Sequence, residues 1–107
     1  MNHSPNIILI MTDQQRADLS KREGFELDTT PFLDSLAQQG RWFNHAYTPM
    51  PACAPARTSM LTGRYPNAHG IRENYELYRA VFEQDVFSIM KEQGYRTALI
   101  GKNHTYL

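Results

Sequence analysis

The chain has 107 residues, 41% of them hydrophobic, which suits one domain, or part of one, with a modest core. Its 11 basic and 11 acidic side chains cancel and neither sign forms a long run, so no global field recruits nucleic acid or an anionic membrane, and any anion site is local. The single cysteine excludes an internal disulfide, residues 7–11 are the longest apolar run and far too short to span a bilayer, and the opening MNHSPNIILIMTD has no secretory signal pattern, so the expected location is cytoplasmic.

Residues 6–11, NIILIM, form a continuous apolar, β-branched run that predicts a strand buried on both faces, as in a parallel sheet covered by helices. The run stops at Met11 and TDQQR comes next. Thr29-Thr30-Pro31 then places an N-cap threonine before a proline at the first helical position. Phe32, Leu33, Leu36 and Ala37 recur at helical spacing until Gly40, which predicts a helix with one buried face. Residues 41–48, with Trp42, Phe43 and Tyr47, favour a second strand. Pro49, Pro51 and Pro55 impose a loop, and residues 56–61 permit a short helix closed by Gly63. Residues 85–93 read as a helix burying Val86, Phe87, Ile89 and Met90 and stopped by Gly94, and residues 97–100 as a strand. Alternating strands and helices predict an α/β layered fold.

Three polar clusters come after the apolar strands or occupy the proline loop: TDQQ, CAPAR and GKNH. Ligands of open α/β sheets gather at the carboxyl ends of strands, so the three clusters are candidates to converge. Each also has a plain structural reading: a lone cysteine is usually a small buried residue, an aspartate after a strand is usually a turn or cap, and Lys-x-His is usually solvated surface.

Taken together, CAPARTSMLTGR at positions 53–64 resembles the signature of the sulfatase family, C-x-P-x-R followed by a threonine-glycine-arginine stretch. The first strand with its aspartate, the motif loop and a strand ending in Gly-Lys-x-His fall in the family's order. The resemblance therefore covers nearly the whole chain, but only the N-terminal part of a sulfatase. It implies a partial alkaline-phosphatase-like sheet with flanking helices, residues 1–107 being the N-terminal segment of a larger catalytic domain. It further implies that a maturation enzyme converts Cys53 to formylglycine, with the motif proline and arginine in its recognition signal. One hydroxyl of the aldehyde hydrate then attacks sulfur and the other drives release of sulfate, splitting one hard step into two.

A hydrate oxygen beside a sulfate ester demands cations and a hard metal at close range. The resemblance assigns Arg57, one helical turn beyond Cys53, to the hydrate, and Lys102 and His104 to the sulfate group and the formylglycine. It assigns Asp13, with Gln14 and the modified Cys53, to calcium or another divalent cation such as magnesium or manganese. Many family members carry two adjacent aspartates where Asp13 is followed here by Gln14; an amide oxygen still ligates a hard cation but brings no charge, and its NH2 can instead donate to a substrate. The same replacement occurs among relatives that hydrolyse phosphonate monoesters and phosphodiesters, which is the alternative activity. Asn74, in HGIREN, stands where such relatives place a substrate-contacting residue, though an exposed loop asparagine fits as well. His3, His45 and His69 receive no role, and Asp18, Asp28 and Asp34 read as surface, turn and helix positions.

The expected substrate is a small-molecule or saccharide sulfate ester, with no nucleic acid or membrane partner. A noncatalytic folding or interaction unit is the reading from another class. Because the cation needs more ligands than this stretch offers, the isolated 107 residues are expected to be catalytically silent and only marginally folded, or part of a longer enzyme.

Overall fold

The computed structural model describes residues 4–106, and His3 lies outside the described residues. Four α-helices occur among them: α1 (Pro31–Gln39), α2 (Cys53–Thr62), α3 (Pro66–His69) and α4 (Val86–Glu92). Short 3-10 turns at Ala17–Leu19, Lys21–Glu23 and Leu77–Arg79 punctuate the loops. None of the helices is long and apolar enough to cross a membrane. The chain divides into two compact units, one running through His45 and one starting at Ala46.

In the first unit, α1 begins where the sequence places it, with Pro31 at a position whose N–H has no intrahelical partner to lose, and ends at Gly40, whose N–H donates to the Leu36 carbonyl at 2.8 Å. The Thr30 hydroxyl makes no capping bond. The Thr29 hydroxyl donates to the Leu19 carbonyl, and Ser20 Oγ accepts from the Glu23 N–H. Trp42 closes on the same turn: Nε1 donates to Glu23 Oε1 at 3.0 Å and the Arg22 guanidinium lies 5.2 Å from the ring centroid.

The second unit is built around α2. Ala54, Pro55 and Thr58 are fully buried and Arg57, Ser59 and Leu61 nearly so, and the helix packs against both α3 and α4. The expected span of residues 56–61 is too short for this helix, which starts at Cys53. Pro55 is its third residue, inside the first turn, where backbone N–H groups have no intrahelical acceptor, so the proline leaves the helix intact. Pro66 opens α3 and Gly70 closes it at φ +82°. A Cβ at Gly70 would press into the Arg79 carbonyl oxygen. Asp85 stands outside α4 as its cap: Oδ1 accepts from the Ser88 N–H at 2.7 Å while Ser88 Oγ accepts from the Asp85 N–H at 2.9 Å.

The expected sheet is not seen among the described residues. No strand forms among the described residues, so 6–11, 41–48 and 97–100 are irregular or bent segments without a ladder. A strand buried on both faces needs a neighbour on each edge, and residues 6–11 have none here: Ile8 and Ile10 are 82% and 83% exposed. Each such isoleucine forgoes about 1.5–3 kcal/mol of burial. Within residues 41–48, Trp42 is held by Glu23 and Arg22. The buried helix faces are corrected with the sheet they were meant to cover. Phe32, Leu33 and Leu36 on α1 are exposed, as is Ile89 on α4, whereas Val86, Phe87 and Met90 are half-buried. Only the helical part of the α/β expectation is present in the described residues.

Candidate functional site

Cys53 occupies the first turn of α2, half-buried, after an extended Ala52 that supplies no side-chain cap. The cap comes from a distant loop instead: Asn74 Oδ1 accepts from the Ala54 N–H at 3.0 Å. An amide oxygen at this position satisfies one of the helix's open N–H groups, an interaction of about 0.5–2 kcal/mol. Asn74 is thus half-buried beside the cysteine, with its oxygen turned to the backbone.

Arg57 lies one turn after Cys53 on the same face of α2 and is 8% exposed. Its Nη1 donates to the Lys102 carbonyl at 3.0 Å. The bond fixes the Lys102 backbone and leaves the lysine side chain exposed. Two residues on, His104 has φ +47° and its Nδ1 is buried without a hydrogen-bond partner among the described residues. Cys53, Arg57, Asn74, Lys102 and His104 therefore share one unit, with Arg57 and Asn74 as the links.

Asp13 and Gln14 belong to the other unit and are exposed. Gln14 has φ +50°, and Gln14 and His104 are the two non-glycine residues with left-handed backbone among those described. Such conformations cost about 1–3 kcal/mol and cluster at functional sites. Among the described residues no three His, Cys, Asp or Glu side chains gather as a metal cluster. The carboxylate of Asp13 and the amide oxygen of Gln14 suit a hard cation in donor chemistry but do not complete a site for one.

His69 is fully buried in the last turn of α3; its Nδ1 accepts from the Ile71 N–H at 3.2 Å and its Nε2 meets Ser59 Oγ at 2.9 Å. Because Nδ1 is an acceptor, the ring's proton sits on Nε2 and is donated to Ser59. Burial pushes the imidazole below its ordinary value, against the opposing pull of the His69 and Pro55 carbonyls. The sequence signal is the bracket PNAHG, which puts a proline at the start and a glycine after the end of a one-turn helix carrying the histidine.

A family model described as Sulfatase matches residues 5–107. The chain is 43% identical over 103 residues to an arylsulfatase of Clostridium perfringens, a match that covers 95% of this chain and 21% of that protein. It is 41% identical over 100 residues to an ulvan-active sulfatase of Formosa agariphila, covering 94% of this chain and 19% of the relative. It is 33% identical over 101 residues to an N-acetylglucosamine-6-O-sulfatase of Bacteroides thetaiotaomicron, covering 94% and 18%. The chain thus spans only a small part of the length of the curated relatives it matches. No solved structure matches it.

Proposed function

The chain belongs to the sulfatase family, and from that premise we propose that it is the nucleophile-bearing part of a hydrolase that cleaves sulfate esters. The observation that carries the reading is the Arg57–Lys102 bond, which ties the C-x-P-x-R helix to the Lys-x-His turn. The names of the relatives, which include aryl and saccharide sulfatases, support a sulfate ester as substrate.

In this reading Cys53 is oxidised to formylglycine by a maturation enzyme, and the modified side chain supplies the nucleophilic oxygen. Arg57 holds positive charge beside residue 53 while anchoring the neighbouring turn. Lys102, with its backbone fixed and its side chain exposed, binds the ester's anionic oxygens. His104 offers a ring nitrogen to the same group, and Asn74 keeps the start of α2 in register. Asp13 and Gln14 are oxygen donors to a divalent cation, calcium or a similarly hard ion, whose charge would favour the anionic ester. In the complete enzyme the segments 6–11, 41–48 and 97–100 become strands of an alkaline-phosphatase-like sheet, which would bury the apolar faces of α1 and α4.

The test is the intact mass of the complete protein produced with a formylglycine-generating enzyme, followed by turnover of a nitrophenyl sulfate. The expected mass shift replaces the CH2SH of Cys53 by CHO, and Cys53→Ala abolishes turnover. Substantial activity in that variant would refute the assignment.

A further inference from the structure

Lys102 and His104 stand on a turn that the backbone does not favour by itself. Gly101 has φ +96° and His104, which carries a Cβ, φ +47°. A left-handed residue with a side chain persists only where its surroundings over-determine it. Three attachments do so here. Arg57 on α2 holds the Lys102 carbonyl. Asn103 Oδ1 accepts from the Thr105 N–H at 3.2 Å and closes the turn locally, with Thr105 5% exposed. Tyr106 then donates its hydroxyl to Asp85 Oδ2 at 2.8 Å, and its ring lies against Phe82 with centroids 4.0 Å apart.

Asp85 is a rigid anchor. It is 7% exposed, and its two oxygens are divided between the first turn of α4 and Tyr106. Burial alone would raise its carboxyl, but the Ser88 N–H and the Tyr106 hydroxyl outweigh burial and hold it below the usual carboxylate range. Burial and the bond to Asp85 push the Tyr106 hydroxyl well above its ordinary value. The pair therefore keeps one protonation state, ionised carboxylate and neutral phenol, through the neutral range.

We propose that Asp85 and Tyr106 are a positioning pair for ester binding: they moor the far side of the turn to the start of α4 while Arg57 moors its near side to α2, so that Lys102 and His104 meet the sulfate group at a fixed separation. The inference rests on the reading of Lys102 and His104 as ester-binding groups, and it gives Asp85 and Tyr106 no contact with the substrate. If the pair were only a helix cap and a core contact, its loss would lower stability and leave substrate binding alone.

The experiment uses the complete enzyme and three variants. Tyr106→Phe keeps the ring against Phe82 and removes the hydroxyl. Asp85→Ser keeps a capping hydroxyl before α4 and removes the carboxylate. The third variant combines them. At a temperature where all are folded, each single variant should raise KM for a nitrophenyl sulfate about tenfold, the scale of releasing a hydrogen bond to a charged group, with a smaller effect on kcat. The double variant should be no worse than the worse single one. In the absence of ester, amides of residues 102–105 should exchange about tenfold faster in the same three proteins. A KM within about twofold of wild type alongside a lowered melting temperature, or strictly additive effects, would overturn the pair. Should Asp85→Ser fail to fold, Tyr106→Phe decides the matter alone. A wild type that turns over no sulfate ester would instead overturn the functional reading, because the exchange measurement needs no ester and still requires the coupled acceleration.

Discussion

Substituting His69 tests how the second unit is held together. The ring accepts from the Ile71 N–H and donates to Ser59 Oγ, and all three residues are buried. His69→Ala orphans both partners at about 1–3 kcal/mol each, so about 2–6 kcal/mol in total, against ~5–15 kcal/mol for a whole domain. His69→Gln can restore one of the two bonds and should cost less. The pH dependence separates this role from simple filling of space. Protonating Nδ1 would set two donors, the ring N–H and the Ile71 N–H, against each other. Burial holds the folded ring below its ordinary 6.5, so the unfolded chain binds the proton more readily. The stability this supplies is complete above pH 6.5 and is lost as pH falls from there through the lower folded value, with a slope of at most about 1.4 kcal/mol per pH unit for one proton. The assay is hydrogen exchange at the Ile71 amide, corrected for intrinsic rate, from about pH 5 to 7.5. Protection should fall in acid in the wild type and stay flat in His69→Gln. Identical pH profiles in the two proteins would refute the argument.

Arg57→Ala removes a buried cation from the Lys102 carbonyl and should cost about 1.5–3 kcal/mol as well as turnover; an unchanged melting curve would show that the bond carries no stability. Asn74→Ala uncaps the Ala54 N–H and should cost about 0.5–2 kcal/mol, whereas Asn74→Asp keeps an acceptor and should retain the stability. If Asn74→Asp melts like Asn74→Ala, the cap is not what Asn74 contributes. Asp13→Asn should weaken activation by calcium and be partly rescued at high calcium, while Gln14→Asp should strengthen it if Gln14 is a ligand; metal dependence unaltered in both would make them turn residues. Gly70→Ala, forced to φ +82° and into the Arg79 carbonyl, should destabilise by about 1–3 kcal/mol, and calorimetry showing no loss would contradict the close approach.

Helix ends are the most legible feature of the sequence, because their signals are local. Pro31 and Gly40 bound α1 as expected, and Asp85-x-x-Ser88 starts α4 through side-chain bonds to its own first turn. The start of α2 is harder to read because Pro55 looks like a loop former, although a proline in the first helical turn removes no bond. The strands are not legible in the same way. NIILIM has the composition of a buried strand, but pairing depends on partners distant in sequence, and the described residues supply none. In the candidate site, it is the resemblance to the sulfatase signature that points to Cys53, Arg57 and Lys102, and the direct bond from Arg57 to the Lys102 backbone requires the structure. The PNAHG bracket marks the one-turn helix that carries His69 but not its burial, and Tyr106 carries no signal of burial, since a tyrosine after threonine is ordinary in exposed loops.

The burial of α2 also sets a schedule. Pro55 is fully buried and Arg57 nearly so, with Cys53 half-buried in the same helix. An oxidising enzyme that identifies its target by those side chains can grip them only while the stretch is still extended. Once α2 has packed through Ser59 against His69, the Pro55 and Arg57 side chains are beyond the reach of any reader of the motif, while the thiol itself stays half-buried. On the proposed reading, oxidation of Cys53 and the closing of α2 would compete, and the share of oxidised molecules would depend on which finishes first. On that reading, a substitution that speeds the closing of α2 would leave fewer molecules oxidised at residue 53.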